Sequence, residues 1–413
     1  MTAVEPVARV GGRWTAAFAI AWLGVWLAQL TVIQLLLPVQ VAAAAGGDGF
    51  TGTVLRFGWV SALAGLAALV AFPLVGALSD ATVSRFGRRR PWIAIGTGLF
   101  AGGLLLLGLQ DTIAGVALAW CVALAGFAAV SSALTALIAD QVPVAQRGVV
   151  SAWVSVPQAA GTILGLLLVQ ALALSRAGSY ALVAAVLVAL VVPLLVTVPD
   201  APSTAPRARS ALRLARITAS LWIDPRTHPD FAWTLTGRLL VNLGNALGTS
   251  LLLYFLSDGL HDPHAEEDLI PLVLVYLVCL VVASLVAGRA SDRSGRRRAF
   301  VAGAAVLQGA AAVLLAVLPA YGTALVGGAL LGAGYGVFLA VDQALATQVL
   351  PDPADRGKDL GVMNVALAVP QAFGPLVGAA LIVLSGGFGA LFLGAGVLSA
   401  LGAAAVSRVR GVA

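Results

Sequence analysis

Of the 413 residues in this chain, 60% are hydrophobic and only 10% are charged, and the mean hydropathy is +0.99. A water-soluble domain of that size could not cover its surface with so little charge. The net charge of +6 does not indicate a nucleic-acid surface either, because the basic residues recur at loop positions set by topology.

Apolar runs of about 20 residues, each long enough to cross roughly 30 Å of hydrocarbon, predict an all-α membrane protein. Twelve transmembrane helices are expected, near 14–44, 54–78, 92–110, 113–139, 149–174, 178–198, 231–257, 268–288, 299–319, 322–348, 360–384 and 387–407. The first run is too long for a signal-peptide core and has no convincing cleavage site behind it, so it is expected to persist as helix 1. Gly and Pro are frequent within the runs, as lipid-embedded helices permit when neighbours re-satisfy the backbone.

Charge then orients the bundle. With a cytoplasmic N-terminus, all of the 24 basic residues except Arg56, Arg176 and Arg238 fall at inward segments. The outward loop 258–268 is acidic, with Asp258, Asp262, Glu266, Glu267 and Asp268. This positive-inside asymmetry predicts both termini in the cytoplasm of a plasma-membrane protein. Cys121 and Cys279 both fall in predicted spans and imply neither a disulfide framework nor a metal site.

The segment 199–230 interrupts the pattern and separates a six-span bundle (1–198) from a second one (231–413). It opens with Pro199, Pro202 and Pro206. Further on, Leu214, Ile217 and Leu221 share one helical face and Arg209, Arg213 and Arg216 lie elsewhere, which reads as an interfacial amphipathic helix. A plain linker remains the alternative.

The two bundles echo each other. Gly76-Ala-Leu-Ser79-Asp80 and Arg85-Phe-Gly87-Arg88-Arg89-Arg90-Pro91 follow span 2. Gly288-Arg-Ala-Ser291-Asp292-Arg293-Ser-Gly295-Arg296-Arg297-Arg298 follows span 8. A second echo matches Pro143, Arg147-Gly148 and Pro157-Gln158 with Pro351, Arg356-Gly357 and Pro370-Gln371. Glycines in such hairpins let helices approach closely. An aspartate at a helix end beside arginines can form a charge latch that separates two bundle orientations. The arginines would also serve topology alone; the matched Asp80 and Asp292 are what favour a latch.

These motifs resemble the major facilitator superfamily over essentially the whole chain. Gly76-x-x-Ser79-Asp80 through Ser84-Arg85-Phe86-Gly87-Arg88-Arg89-Arg90-Pro91-Trp92-Ile93 is similar to its glycoside–pentoside–hexuronide and sucrose-transporter branch, as is Asp140-x-x-Pro143-x-x-x-Arg147-Gly148. The resemblance implies two pseudo-symmetric six-helix bundles, a cavity lined mainly by spans 1, 4, 7 and 10, and alternating access. It also implies that Asp80, Arg85, Arg88, Asp140, Arg147, Asp292, Arg296 and Arg356 are cytoplasmic gating residues. Sugar:cation carriers of that branch hold acids in helix 1 or 2. Span 1 and the body of span 2 contain none here, so cation coupling must be sought elsewhere.

An ionisable group at membrane depth costs about 3 kcal/mol or more and is a functional candidate by default. Asp342 lies eight residues before Leu350, and Arg238 eight residues after Asp230; at 1.5 Å per residue both sit about 12 Å inside the membrane. Opposite charges at equal depth are natural partners. The pair either couples transport to protons through Asp342 or stabilises the second bundle without moving. Neutral polar groups supplement it: Trp22, Trp26, Gln29 and Ile33 follow one face of span 1 with Gln34 alongside, span 7 adds Asn242 and Asn245, and span 11 adds Asn364. Rings stacking on Trp and amides bonding hydroxyls would suit a polyhydroxylated solute. Trp26, Gln29, Gln34, Asn242, Asn245 and Asn364 are therefore the candidate substrate ligands. Trp22 could equally face lipid.

The expected function is secondary active transport of a small solute, first a sugar or glycoside with protons, alternatively proton-coupled export of a drug or metabolite. No cofactor, metal or nucleic acid is expected, the bilayer is the surrounding partner, and a monomer suffices. The histidines, His228, His261 and His264, all fall in predicted loops without metal-ligand spacing or a nucleophile–base constellation, which speaks against an enzyme.

Overall fold

The computed structural model describes residues 9–46, 49–200, 226–348 and 356–410; inside the helices it leaves undescribed the side chains at 80, 144–149, 151–155, 292, 356–365 and a few neighbours. The expected amphipathic helix around Leu214–Leu221 lies outside the described residues. All regular structure among them is helical.

In chain order the long helices are α1 (Gly12–Ala45, with one π turn at Val32–Leu36), α2 (Gly49–Ala81), α3 (Arg90–Gly108), α4 (Ile113–Gln141), α5 (Val144–Leu172) and α6 (Arg176–Thr197). Then come α7 (Pro229–Ser250), α8 (Ala265–Ser294), α9 (Arg297–Val317), α10 (Tyr321–Gln348), α11 (Arg356–Ser385) and α12 (Phe388–Ser407). Among the described residues, nine helices are long and apolar enough to span a bilayer. α7 and its continuation Leu252–Gly259, bent by 45°, make a tenth. α5 and α11 carry shorter apolar stretches, Val156–Leu172 and Val369–Ser385, at the positions of the other two expected spans.

The helices are apolar all round, as hydrocarbon requires, since each must satisfy its own backbone groups there. The most apolar span, Ala265–Ser291, is also the least buried. On it Val278, Val282, Leu285 and Val286 are exposed. In water that arrangement would be an aggregation surface; in lipid it is the face that meets acyl chains.

The chain divides into two compact units: Met1–Gly46 with Leu63–Leu212, and Gly47–Ala62 with Arg213–Ala413. In the first, α1 packs on α5 and α6, and α3 packs on α4 and α6. In the second, α7 packs on α11 and α12, and α9 packs on α10 and α12. The four pairings correspond one to one, so the sequence echo is an echo of packing. The second unit also receives the first half of α2, where Phe57 meets Tyr254 edge to face at 5.5 Å.

Helices α8 and α10 make the closest approach that bears on the site. A Cβ at Gly332 would lie 3.0 Å from the Tyr276 Cα, and one at Gly336 would lie 2.9 Å from the Leu280 Cα, each also overlapping the carbonyl of that residue. Small residues spaced by four are what lets two membrane helices come this near. The effect is to bring Tyr276 of α8 alongside Tyr335 of α10.

Candidate functional site

The second unit holds a buried polar cluster that includes the two charges paired in the sequence analysis. Arg238 of α7 and Asp342 of α10 form an ion pair, Nε to Oδ2 at 3.1 Å, with side chains only 6% and 5% exposed. Helical spacing places Asn242 and Asn245 one and two turns beyond Arg238 on the same face of α7. The Asn242 amide donates to the Arg238 carbonyl at 2.8 Å, and the Tyr335 hydroxyl donates to Asn242 Oδ1 at 3.0 Å. Asn245 Nδ2 donates to the Tyr276 hydroxyl at 3.2 Å. Asn242 is thus held on both ends by protein groups and Asn245 on at least one.

A guanidinium and a carboxylate this deep persist because each offsets the other's desolvation. The amide and phenol groups around them complete a network in which a lost partner would be costly. Tyr335 also stacks on Phe338, centroids 5.9 Å apart and planes within 17°, which fixes its hydroxyl over Asn242. Tyr276 and Tyr335 were missed in the sequence reading. For Tyr335 a signal was present in the Gly332-x-Gly334-Tyr335-Gly336 string, in which a large polar residue interrupts small ones.

The polar row of α1 belongs to the first unit. Trp22 and Trp26 stack at 5.7 Å, and Trp26 tilts against Phe127 of α4 at 5.7 Å. Trp22 is buried, not lipid-facing, at 3% exposure. The buried Nε1 atoms of Trp22 and Trp26 and the Oε1 atoms of Gln29 and Gln34 have no hydrogen-bond partner among the described residues. Thr31 Oγ1 on the same helix is a fifth such atom; buried polar atoms are usually satisfied, so this group on one helix calls for a reason. Gln34 lies in the π turn of α1, an irregularity frequent at functional sites. The side chain of Asn364 lies outside the described residues.

The Gly-Arg-Arg-Arg motif that follows α2 is organised within the first unit. Arg88 Nη2 meets Asp140 Oδ1 at 2.8 Å and Arg89 Nε meets Asp140 Oδ2 at 2.7 Å. Arg89, 4% exposed, also donates to Ser79 Oγ at 2.5 Å. Asp200 Oδ2 accepts from the backbone N–H groups of Arg89 and Arg90, at 2.7 and 3.1 Å. It caps the positive end of α3, where a carboxylate is favoured. Gly87, at φ +92°, makes room: a Cβ there would overlap the Asp200 carboxylate. Arg90 donates to the Leu195 carbonyl near the end of α6, and its counterpart Arg298 donates to the Val409 carbonyl just beyond α12, at 2.6 Å. The third arginine of each Gly-Arg-Arg-Arg string therefore closes the last helix of its own unit, as cations do at helix C-termini. Arg89, Arg90, Arg298 and Asp200 were not singled out in the sequence. Arg85 and Arg296 are exposed, and the side chains of Asp80, Arg147, Asp292 and Arg356 lie outside the described residues.

Burial alone would raise the Asp140 carboxyl, but the hydrogen bonds and charges of Arg89 and Arg88 overcome it and hold its pKa below the ordinary carboxylate value. A depressed folded-state pKa gives stability that is present above the unfolded value of about 3.9 and lost as pH falls through the folded one. Asp140→Asn is thus expected to lower stability at pH 7 by about 2 kcal/mol, the scale of lost charge-assisted hydrogen bonds. The difference from the wild type should close below about pH 4, as read by thermal unfolding in detergent across pH.

Duplicated six-helix packing, long apolar helices and a charge pair buried within the second unit define a polytopic α-helical membrane protein. The family model described as Major Facilitator Superfamily matches residues 14–267 and 239–412, and the chain belongs to that superfamily of transporters.

The multidrug transporter mfsC of Aspergillus fumigatus is 30% identical over 122 residues, which are 30% of this chain and 23% of that protein. The match therefore spans about a quarter of that relative. Solved structures similar in fold include the human organic anion transporter MFSD10 (TETRAN), with TM-score 0.69, 20% identity and coverage of 95% of this chain and 99% of that one. A mutant of the nucleoside transporter NupG gives 0.74 at 15% identity, covering 96% and 98%. A bacterial homologue of the human lysosomal transporter Spinster gives 0.72 at 12%, covering 96% and 97%.

Proposed function

We propose that this transporter moves a sugar or glycoside together with protons, by alternating access, across the plasma membrane with both termini in the cytoplasm. The observation that carries the reading is the Arg238–Asp342 pair at 3.1 Å inside a buried polar cluster. Asp342 is the acid that protonation can neutralise at membrane depth, and Arg238 is the group whose environment changes when it does.

Substrate chemistry is supported by α1. Its two orphan indole N–H donors and two orphan amide oxygens match the alternating donors and acceptors of a hydroxylated ring, and its stacked indoles offer an apolar face. The likeness of Ser84 to Ile93 to the glycoside–pentoside–hexuronide branch points the same way. Asn242 and Asn245, engaged by Tyr335 and Tyr276, act in this reading by shaping the cluster, and contact substrate only by exchanging those bonds. In the second unit the gating role of Arg296 and Arg356 belongs to the same proposal. In the first, Asp140 with Arg88 forms the fixed base of the hairpin on which Asp80, Arg85 and Arg147 would act.

A second reading, proton-coupled export of an apolar or cationic compound, is favoured by one observation: the run Trp14, Phe18, Trp22, Trp26 of successive ring contacts along α1. Proteoliposomes bearing the purified protein and a trapped pH dye discriminate the two. Sugar import predicts that one member of a neutral and acidic sugar panel draws protons inward with it. Proton movement driven only by hydrophobic cations, in the opposite direction to the cation, would reverse the choice.

A further inference from the structure

We infer that the second unit binds an anionic phospholipid at the loop end of α8, with the lipid phosphate at Arg289 and Arg293 and the acyl chains along the apolar stripe of the same helix. Such a site is independent of which solute the transporter moves.

Val278, Val282, Leu285 and Val286 are exposed on α8, at the spacing of three and four that keeps residues on one helical face. The same spacing carries that face on to Arg289 and Arg293, both exposed. Eleven residues separate Val278 from Arg289, a rise of about 16 Å, close to half of a hydrocarbon core about 30 Å thick. One face of α8 thus has the length and polarity of a single leaflet: apolar over the depth of the acyl chains, cationic where headgroups begin. Arg289 reaches back along the stripe, its Nη1 donating to the Leu285 carbonyl at 3.2 Å. Leu339 of α10, also exposed, borders the stripe, since the neighbouring Ala340 Cβ lies 3.8 Å from where a Cβ at Gly288 would stand.

Topology alone does not require these two arginines. On α2, Leu66, Val70 and Leu74 are exposed, and they match Val278, Val282 and Val286 at the offset that relates Gly76 to Gly288. At the positions of Arg289 and Arg293, α2 has Ala77 and Ala81. Both hairpins carry a Gly-Arg-Arg-Arg string, so the charge that orients a hairpin is present twice. The pair that extends the apolar stripe is present once. α8 therefore differs from its counterpart by cations placed at the headgroup end of an equivalent face.

Two guanidinium groups one turn apart favour a phosphodiester, whose oxygens suit their planar forks. A zwitterionic headgroup brings its own cation to the same place and is repelled by them; an anionic headgroup brings none. Asp292 adjoins the arginines in sequence, with its side chain outside the described residues, and the two arginines outnumber it.

The test offers the purified full chain equal amounts of phosphatidylglycerol and phosphatidylcholine with identical acyl chains in mixed micelles. Retained lipid is counted by native mass spectrometry. Each basic group near a membrane surface contributes about fivefold, so phosphatidylglycerol should be retained at least about tenfold over phosphatidylcholine. In the double variant Arg289→Gln with Arg293→Gln the preference should vanish. Its melting temperature in phosphatidylcholine micelles should match the wild type, because both side chains are exposed. Inorganic phosphate and glycerol 3-phosphate, added at matched ionic strength, should leave the lipid in place. Equal retention of the two lipids by the wild type, or a preference that survives in the double variant, would overturn the inference. Displacement of the lipid by either soluble phosphate would also overturn it, since the site would then read a free anion.

Discussion

Asp342→Asn is expected to destabilise the protein by about 3–5 kcal/mol, the cost of breaking a buried ion pair by removing one of its members. Both side chains are almost fully buried at 6% and 5% exposure, so water cannot screen the guanidinium that remains. Adding Arg238→Gln in the same chain is expected to return most of the loss, because removing a buried pair whole is often close to neutral. Thermal unfolding of the two variants beside the wild type reads this directly. A single variant as stable as the wild type would mean the pair contributes no electrostatic constraint, and the coupling proposal would lose its physical basis.

Gly336→Leu should also be strongly damaging, at a place with no charge at all. A side chain there runs into the Leu280 backbone of α8, where even a Cβ has its nearest Cα at 2.9 Å. Backbone cannot rotate away as a side chain tip can. Overpacking a fitted interface costs about 1–3 kcal/mol and more where main chain must shift. Separating α8 from α10 also parts Tyr276 from Asn245 and disturbs the α10 segment that carries Tyr335 and Asp342. The expected outcome is loss of monodisperse protein on extraction, and loss of transport in whatever survives. Gly322→Ala on the same helix is the control, since nothing lies within 4 Å of a Cβ there, and it should be neutral or mildly stabilising. Equal tolerance of both substitutions would contradict the close approach.

The helices were legible because hydrocarbon imposes a simple rule: about 20 apolar residues for each crossing. The duplication was legible because Gly76 to Pro91 and Gly288 to Arg298 repeat residue types in the same order, and the packing repeats with them. The partnership of Arg238 with Asp342 followed from depth alone, since two charges counted eight residues from opposite chain directions had to arrive at one level. The job of each arginine could not be read in the same way. Gly-Arg-Arg-Arg looks like a single basic patch in sequence. In the fold the three side chains radiate about the first turn of α3, so Arg88 and Arg89 grip Asp140 while Arg90 turns to the Leu195 carbonyl. Asp200 was hidden for a related reason: it sits in an irregular stretch after α6, and only the left-handed Gly87 shows that a carboxylate seats there. The roles of Asn242 and Asn245 depended on phenols from α8 and α10, and a contact across helices leaves no local trace in the chain.

The central claim is that Asp342 is the proton carrier, and substrate-driven proton flux in proteoliposomes tests it most directly. With a transported sugar or sugar acid outside, the wild-type protein should acidify the vesicle interior as substrate enters. Asp342→Asn, at matched protein insertion, should show no substrate-dependent proton movement while still exchanging labelled for unlabelled substrate. Proton flux undiminished in Asp342→Asn would contradict the account and place the coupling group elsewhere in the chain.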